Sequence, residues 1–377
     1  MGMHFHSIHR MYAENPQLRS LPYREQMEFF KNSRMVHFNR FSHYMTALGN
    51  EAIDILYDFE HLQKTWAQEN NISCHDTHWR EEIFLKQVEF YKPDILYLHD
   101  THVLPPDVRA QLKSRFPFLK LVAVYRGTPL TYPVFSDVDV VFAGIPLIYD
   151  YYKKKVLKTH LLYHSFDESL YPLLETVPAN PGEEKQYEFT FVGSSGYGFG
   201  SFQHTRYWSL RELLERTEIR VWLDERTEKT PLYREAEKTF PKGFVPMKPL
   251  RELYPGRCHE NVFGLDMYRI LYRSKITFNC HTDTAIDNVG NMRLFEAAGV
   301  GACLLTDTGW NLPDLFEAEK EVITYTSMEE CLEKLAWLME HDEERKRIAQ
   351  NGRKRILKDH TLEKRCEEMH QVLKNMI

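Results

Sequence analysis

Arg293 and Glu296 stand three residues apart in NMRLFEAAGVGACLLTD, residues 291–307, a stretch patterned like a short helix that ends in glycines and enters an apolar strand. At that spacing both side chains share one helical face. A helix opening near Gly290 and closing at Gly299 presents unpaired backbone N–H groups at its mouth, with the helix dipole behind them, and this suits a diphosphate. Gly290 and Asn291 lie at the mouth, and Arg293 adds a bidentate cation in the first turn. Six helical residues at about 1.5 Å each span roughly 9 Å, the reach from a phosphate to a ribose. Glu296 therefore stands where a carboxylate accepts both ribose hydroxyls. The competing reading is an exposed ion pair worth only ~0.2–0.5 kcal/mol.

Two further stretches carry polar groups at strand ends. VGSSGYGFGSFQHTR, residues 192–206, places Gly193, Ser194 and Ser195 directly after an apolar run and Arg206 where the next helix begins. Backbone amides, hydroxyls and a guanidinium in that order fit phosphate contact, although the spacing matches neither a Walker loop nor a G-x-G-x-x-G fingerprint. A ligand-free flexible loop reads the same way from its glycines alone. DILYL runs into His99, Asp100, Thr101 and His102. Two histidines three apart without a further ligand cluster make a poor zinc site, and turn contacts by Asp100 or Thr101 are the plain alternative.

These candidates need strands to carry them. Short apolar runs alternate with helical patterns along the chain, the signature of parallel sheets covered by helices. The first half offers RMVHF (34–38), AIDIL (52–56), DILYL (94–98), LKLVAVY (119–125), VDVVF (138–142) and HLLYH (160–164). Residues 175–187, ETVPANPGEEKQY, break the pattern with prolines, a glycine and charges, which predicts a linker. The alternation then restarts with EFTFVG (188–193), EIRVWL (218–223), KITFNC (275–280), ACLLT (302–306) and EVITY (321–325). From Met328 the tail is helical, and Cys366, Met369, Val372 or Leu373, and Met376 form an apolar stripe after Thr361.

A chain of 377 residues fits two cores better than one. Hydrophobic residues at 43% and charged residues at 27% argue against disorder. A net charge of −6 leaves no electrostatic footprint for nucleic acid. No run approaches the ~18 apolar residues of a membrane span, and MGMHFHSIHRMY lacks the core of a signal peptide, so a cytoplasmic protein is expected. Six scattered cysteines without a Cys-x-x-Cys pair read as reduced and structural.

The run from Ile276 to Leu373, with NMRLFEAAGVGACLLTDTG followed by PDLFEAEKEVITYTSMEECLEKLAWLMEHDEERKRIAQNGRKRILKDHTLEKR, resembles the C-terminal domain of GT-B glycosyltransferases. Within that fold it is most similar to the CgeB-like, spore-maturation branch of the group 1 enzymes. The resemblance implies two Rossmann-like α/β domains facing across a cleft: an acceptor domain over 1–174, a linker over 175–187, a nucleotide-sugar domain over 188–360, and a last helix, 361–377, crossing back to the first. It implies a metal-independent, hexosyltransferase-type enzyme with no cofactor. The donor would be a UDP-, GDP- or dTDP-type sugar nucleotide, and the acceptor a hydroxyl on a glycan, glycolipid or protein-linked acceptor. The family places two glutamates eight positions apart; Glu296 matches the second, on the ribose, whereas position 288 is Asn288, with Asp287 beside it. His281, after KITFNC, falls near the donor sugar, and His99 or Asp100 is the expected base if transfer inverts the anomeric centre. A sugar-nucleotide 2-epimerase of the same architecture and a non-catalytic nucleotide-sugar binder are the alternatives.

Overall fold

The computed structural model describes residues 5–34, 40–99, 104–127, 135, 137–155, 157–175, 185–197, 203–225 and 247–377. They pack into two compact units. The first takes the described residues as far as Tyr163 together with Leu362–Ile377, and the second takes His164–Thr361. The division falls at Tyr163; of the predicted linker, residues 176–184 lie outside the described residues, as do 35–38 of the first predicted strand.

The first unit is built on four parallel strands, β1 (Ile95–Leu98), β2 (Leu121–Arg126), β3 (Val140–Ala143) and β4 (Thr159–Leu161), lying side by side in chain order. Every residue of β2 and β3 is buried, as expected of strands covered on both faces. Side chains alternate between those faces with period two. Val122, Val124, Val141 and Ala143 join Phe84, Leu85 and Val88 of helix Trp79–Tyr91 and Ile148 and Tyr152 of helix Pro146–Lys153. Leu121, Ala123, Tyr125, Val140 and Phe142 face Leu362, Cys366, Met369 and Leu373 of helix Leu362–Lys374. AIDIL, expected as a strand, has no ladder. Its Asp54 carboxylate instead accepts from the Ser42 backbone N–H at 3.3 Å and hydroxyl at 2.5 Å, capping helix Phe41–Ala47.

The second unit carries six parallel strands: β5 (Tyr187–Ser194), β6 (Arg220–Asp224), β7 (Cys258–Glu260), β8 (Ser274–Asn279), β9 (Cys303–Asp307) and β10 (Ile323–Tyr325). Their order across the sheet is β10-β9-β8-β5-β6-β7. The chain lays β5 in the middle, moves outward through β6 and β7, returns to pair β8 on the other flank of β5, and moves outward again. This is the doubly wound order, and its switch point lies between β5 and β8. β7 escapes sequence reading because Cys-His-Glu carries no apolar run and needs none at a sheet edge. The tail forms helices Met328–Glu340 and Asp342–Asp359, the first capped by Ser327, whose hydroxyl accepts the Glu330 N–H. Among the described residues no helix is long and apolar enough to cross a membrane.

Candidate functional site

The C-terminal ends of β5 and β8 form one side of the site. After β5 the chain turns at Gly196, whose φ of +88° favours glycine and whose added Cβ would lie 2.3 Å from the Gln203 carbonyl oxygen. Ser195 donates its N–H to the Asp224 carbonyl (3.1 Å) and accepts the Tyr197 N–H on its hydroxyl (3.1 Å). Ser194 donates its hydroxyl to Gln203 Oε1 (2.5 Å). Arg206, in the first turn of helix His204–Arg216, is buried and donates to Ser194 Oγ (2.9 Å), Gln203 Oε1 (3.2 Å) and the Cys280 carbonyl (2.6 and 3.1 Å). It ties the loop after β5 to the end of β8 across the switch point.

After β8, His281 donates its backbone N–H to Asp307 Oδ2 (2.8 Å), places Nδ1 2.6 Å from Asp307 Oδ1, and accepts the Gly290 N–H on Nε2 (3.0 Å). Burial alone would raise the Asp307 carboxyl, but His281, through its ring and its backbone N–H, and Arg206 outweigh burial and hold it below the usual aspartate range. Between His281 and Gly290 the loop holds Ile286 and Asp287 at φ of 44° and 55°. Left-handed backbone at a β-branched residue is a genuine outlier, kept here by neighbours that over-determine it. The Asp287 carbonyl accepts the Trp310 N–H (3.0 Å), a Cβ on Gly309 would lie 2.5 Å from that same oxygen, and the Asn311 amide grips Val289 by both N–H and carbonyl at 2.8 Å. Asn288 is buried and donates its amide to the Ile286 carbonyl (2.7 Å).

Helix Met292–Gly299 starts two residues after Gly290, with Asn291 as its N-cap accepting the Leu294 N–H (3.2 Å). Asn291 is held by a reciprocal amide pair with Asn279 at the end of β8 (2.8 and 3.2 Å). Leu294, Phe295, Ala297 and Ala298 bury the helix, and the amides of Met292 and Arg293 precede its first i→i−4 bond. Arg293 donates to Glu296 Oε2 (2.7 Å) and the Val192 carbonyl of β5 (3.0 Å), with Met267 Sδ at 3.1 Å. Glu296 is 1% exposed and accepts from the Tyr268 hydroxyl on Oε1 (3.2 Å). Burial first, then the Glu296 charge, push the Tyr268 hydroxyl well above the usual tyrosine range, so it stays a neutral donor. Gly299 is required by packing: an added Cβ would lie 2.4 Å from the Phe166 ring.

The structure thus gathers Gly193, Ser194, Ser195, Arg206, His281, Gly290, Asn291, Arg293 and Glu296 around the ends of β5 and β8, with Asn288 in the adjoining loop. The Arg293–Glu296 pair forms, inside the unit and not on its surface. Sequence reading passes over Asp307, Tyr268, Gln203, Asn279 and Asn311. Asp307 carries a usable signal, a carboxylate directly after ACLLT at the ligand end of a strand; Tyr268, on helix Gly264–Tyr272, carries none.

In the first unit His99 follows β1, stacks on Tyr125 with ring centroids 5.0 Å apart, and places Nδ1 3.2 Å from the Tyr97 hydroxyl. Asp100 lies outside the described residues. Among the described residues no group of three or more His, Cys, Asp or Glu side chains is placed to hold a metal ion. All six cysteines are free, and burial pushes the thiols of Cys258, Cys280, Cys303 and Cys331 up to about 12, which removes them as thiolate nucleophiles.

A Rossmann-ordered sheet with a capped helix mouth at its switch point is the frame of a nucleotide-binding domain, and similarity to known proteins narrows it. The chain belongs to the glycosyl transferase-like family, whose model matches residues 173–371. Its fold is that of the GT-B glycosyltransferases. HepE from Anabaena in complex with UDP and glucose superposes with a TM-score of 0.56 at 11% identity, over 83% of this chain and 89% of that one. The same protein in complex with UDP-glucose gives 0.56 at 12% identity, over 83% and 88%. Sucrose-phosphate synthase from Thermosynechococcus elongatus gives 0.52 at 12% identity, over 87% and 81%. No curated protein sequence matches the chain.

Proposed function

We propose that this protein is a metal-independent hexosyltransferase of the CgeB-like branch that moves a sugar from a nucleoside-diphosphate sugar to an acceptor hydroxyl in the cytoplasm. One observation carries the reading: Glu296 is a buried carboxylate on a helix whose capped N-terminus opens beside the ends of β5 and β8. The amides of Met292 and Arg293, with the Ser194–Ser195 loop, receive the diphosphate. A ribose hydroxyl replaces Tyr268 on Glu296 Oε1, so the carboxylate stays saturated throughout. Arg293, already fixed by Val192, offsets the charge that develops on the leaving diphosphate. Asn288 or Asp287 serves the donor sugar, and where transfer inverts the anomeric centre His99 or Asp100 takes the acceptor proton. The HepE complexes favour a UDP-type donor.

The test is a thermal-shift panel of UDP, GDP, CDP and dTDP, then the matching sugar nucleotides. A ligand at a hundredfold over its Kd stabilises the folded state by about 2.7 kcal/mol, which is a shift of several degrees. Failure of every nucleotide to shift the transition overturns the reading. Release of free nucleoside diphosphate only when an acceptor is present separates transfer from epimerisation, which needs no acceptor, and from binding alone, which releases none.

A further inference from the structure

Asp307 makes no contact in the donor binding proposed above, yet a short chain of hydrogen bonds leads from it to the helix mouth. Its Oδ2 accepts the His281 backbone N–H at 2.8 Å and its Oδ1 lies 2.6 Å from Nδ1 of the same residue. On the far side of the ring, Nε2 accepts the Gly290 N–H at 3.0 Å. A ring nitrogen that accepts carries no proton, so this geometry puts the ring proton on Nδ1, donated to Asp307. His281 is buried, with its side chain 7% exposed, so water is a poor substitute for either partner. Gly290, the last link, has a φ of 142° and hands the chain to Asn291, the cap of the 292–299 helix.

We propose that Asp307 is a positioning residue for the donor site. It fixes the tautomer of His281, and His281 thereby holds Gly290 so that the helix amides open at the switch point. The inference rests on the reading of that mouth as a nucleoside-diphosphate site. The acceptor count makes the carboxylate hard to replace. Both Asp307 oxygens face N–H donors, whereas an asparagine offers one acceptor and one NH2 group. Whichever way that amide turns, one donor faces a donor, or the proton moves to Nε2 and points at the Gly290 N–H.

Two measurements test this. The first is the ring 15N spectrum of His281 in the ligand-free protein: protonated Nδ1 and bare Nε2 are expected, and a protonated Nε2 overturns the inference whatever the protein binds. The second is calorimetry with whichever of UDP, GDP, CDP and dTDP the wild type takes. Asp307→Asn should weaken affinity by about tenfold, the effect of stranding one buried donor. His281→Gln, whose carbonyl oxygen reaches the place of Nε2, should retain most of the affinity, and His281→Asn, which reaches only the place of Nδ1, should lose it. Equal affinities for the glutamine and asparagine variants, or wild-type affinity in Asp307→Asn with the tautomer displaced, overturn the positioning role. If the wild type binds no nucleotide, the donor reading fails while the 15N result still decides the hydrogen-bond chain.

Discussion

Arg293 and Glu296, one helical turn apart, meet at 2.7 Å inside the second unit, with Tyr268 on the other carboxylate oxygen and the Val192 carbonyl on the guanidinium. Removing the carboxylate therefore does two things. Glu296→Ala leaves Arg293 without its charge partner and should cost about 3 kcal/mol of stability, the scale for breaking a buried pair. Glu296→Gln keeps an acceptor for Arg293 and turns its NH2 to the Tyr268 oxygen, so the fold should hold. Nucleoside diphosphate affinity should still fall roughly 10- to 100-fold with the lost charge-assisted bonds. Calorimetry on Glu296→Gln is the deciding measurement, and unchanged affinity removes Glu296 from the donor site.

Arg206 donates to three partners from a buried position, which marks it first as a clamp between the loop after β5 and the end of β8. Arg206→Ala should destabilise the fold by about 2–4 kcal/mol, from unpaired acceptors and the space left behind. Urea titration reads this directly. A variant as stable as the wild type but weaker for nucleotide would instead make Arg206 a phosphate ligand.

Gly299→Ala tests packing without touching a polar group. Its new methyl would sit 2.4 Å from the Phe166 ring and must displace it, at a cost of about 1–3 kcal/mol. A lower denaturation midpoint with an unchanged m-value is the expected result.

Acid should act on Asp307. Its folded-state pKa is depressed, so the stability it contributes is complete above the unfolded value of about 3.9 and is lost as pH falls through the folded value. The stability gap between wild type and Asp307→Asn should thus narrow as pH falls from about 4 toward about 3. A gap that stays constant across that range contradicts the depressed pKa.

His99→Ala should slow transfer while donor affinity survives, because His99 stands on the first unit's sheet and the residues proposed to hold the donor belong to the second unit. Equal loss of both would contradict its proposed role as base.

Much of this architecture is legible because both sheets are parallel and buried, so their strands announce themselves as apolar runs. β2, β3, β5, β8 and β9 are each visible in that way. AIDIL misleads: its apolar residues serve a connection, and Asp54 spends its carboxylate on a helix cap. β7 is invisible for the opposite reason, being too short and too polar. In the site, Arg293 and Glu296 can be placed together because helical spacing is rigid. Their burial cannot, since it depends on Tyr268 and Val192, distant in sequence. The same holds for His281, whose two ring nitrogens meet partners nine and twenty-six residues further along.

The helix Leu362–Lys374 covers one face of a sheet completed by Leu161, and the described residues of the second unit are all encoded between them. During synthesis Leu121, Tyr125 and Phe142 must therefore wait for their cover while those intervening residues are made, roughly ten to forty seconds at 5–20 residues per second. The described residues of the second unit, all within His164–Thr361, have no such delay. Folding on the ribosome should run in reverse of the reading order, with the earlier-made half the last to become resistant to a pulse of protease.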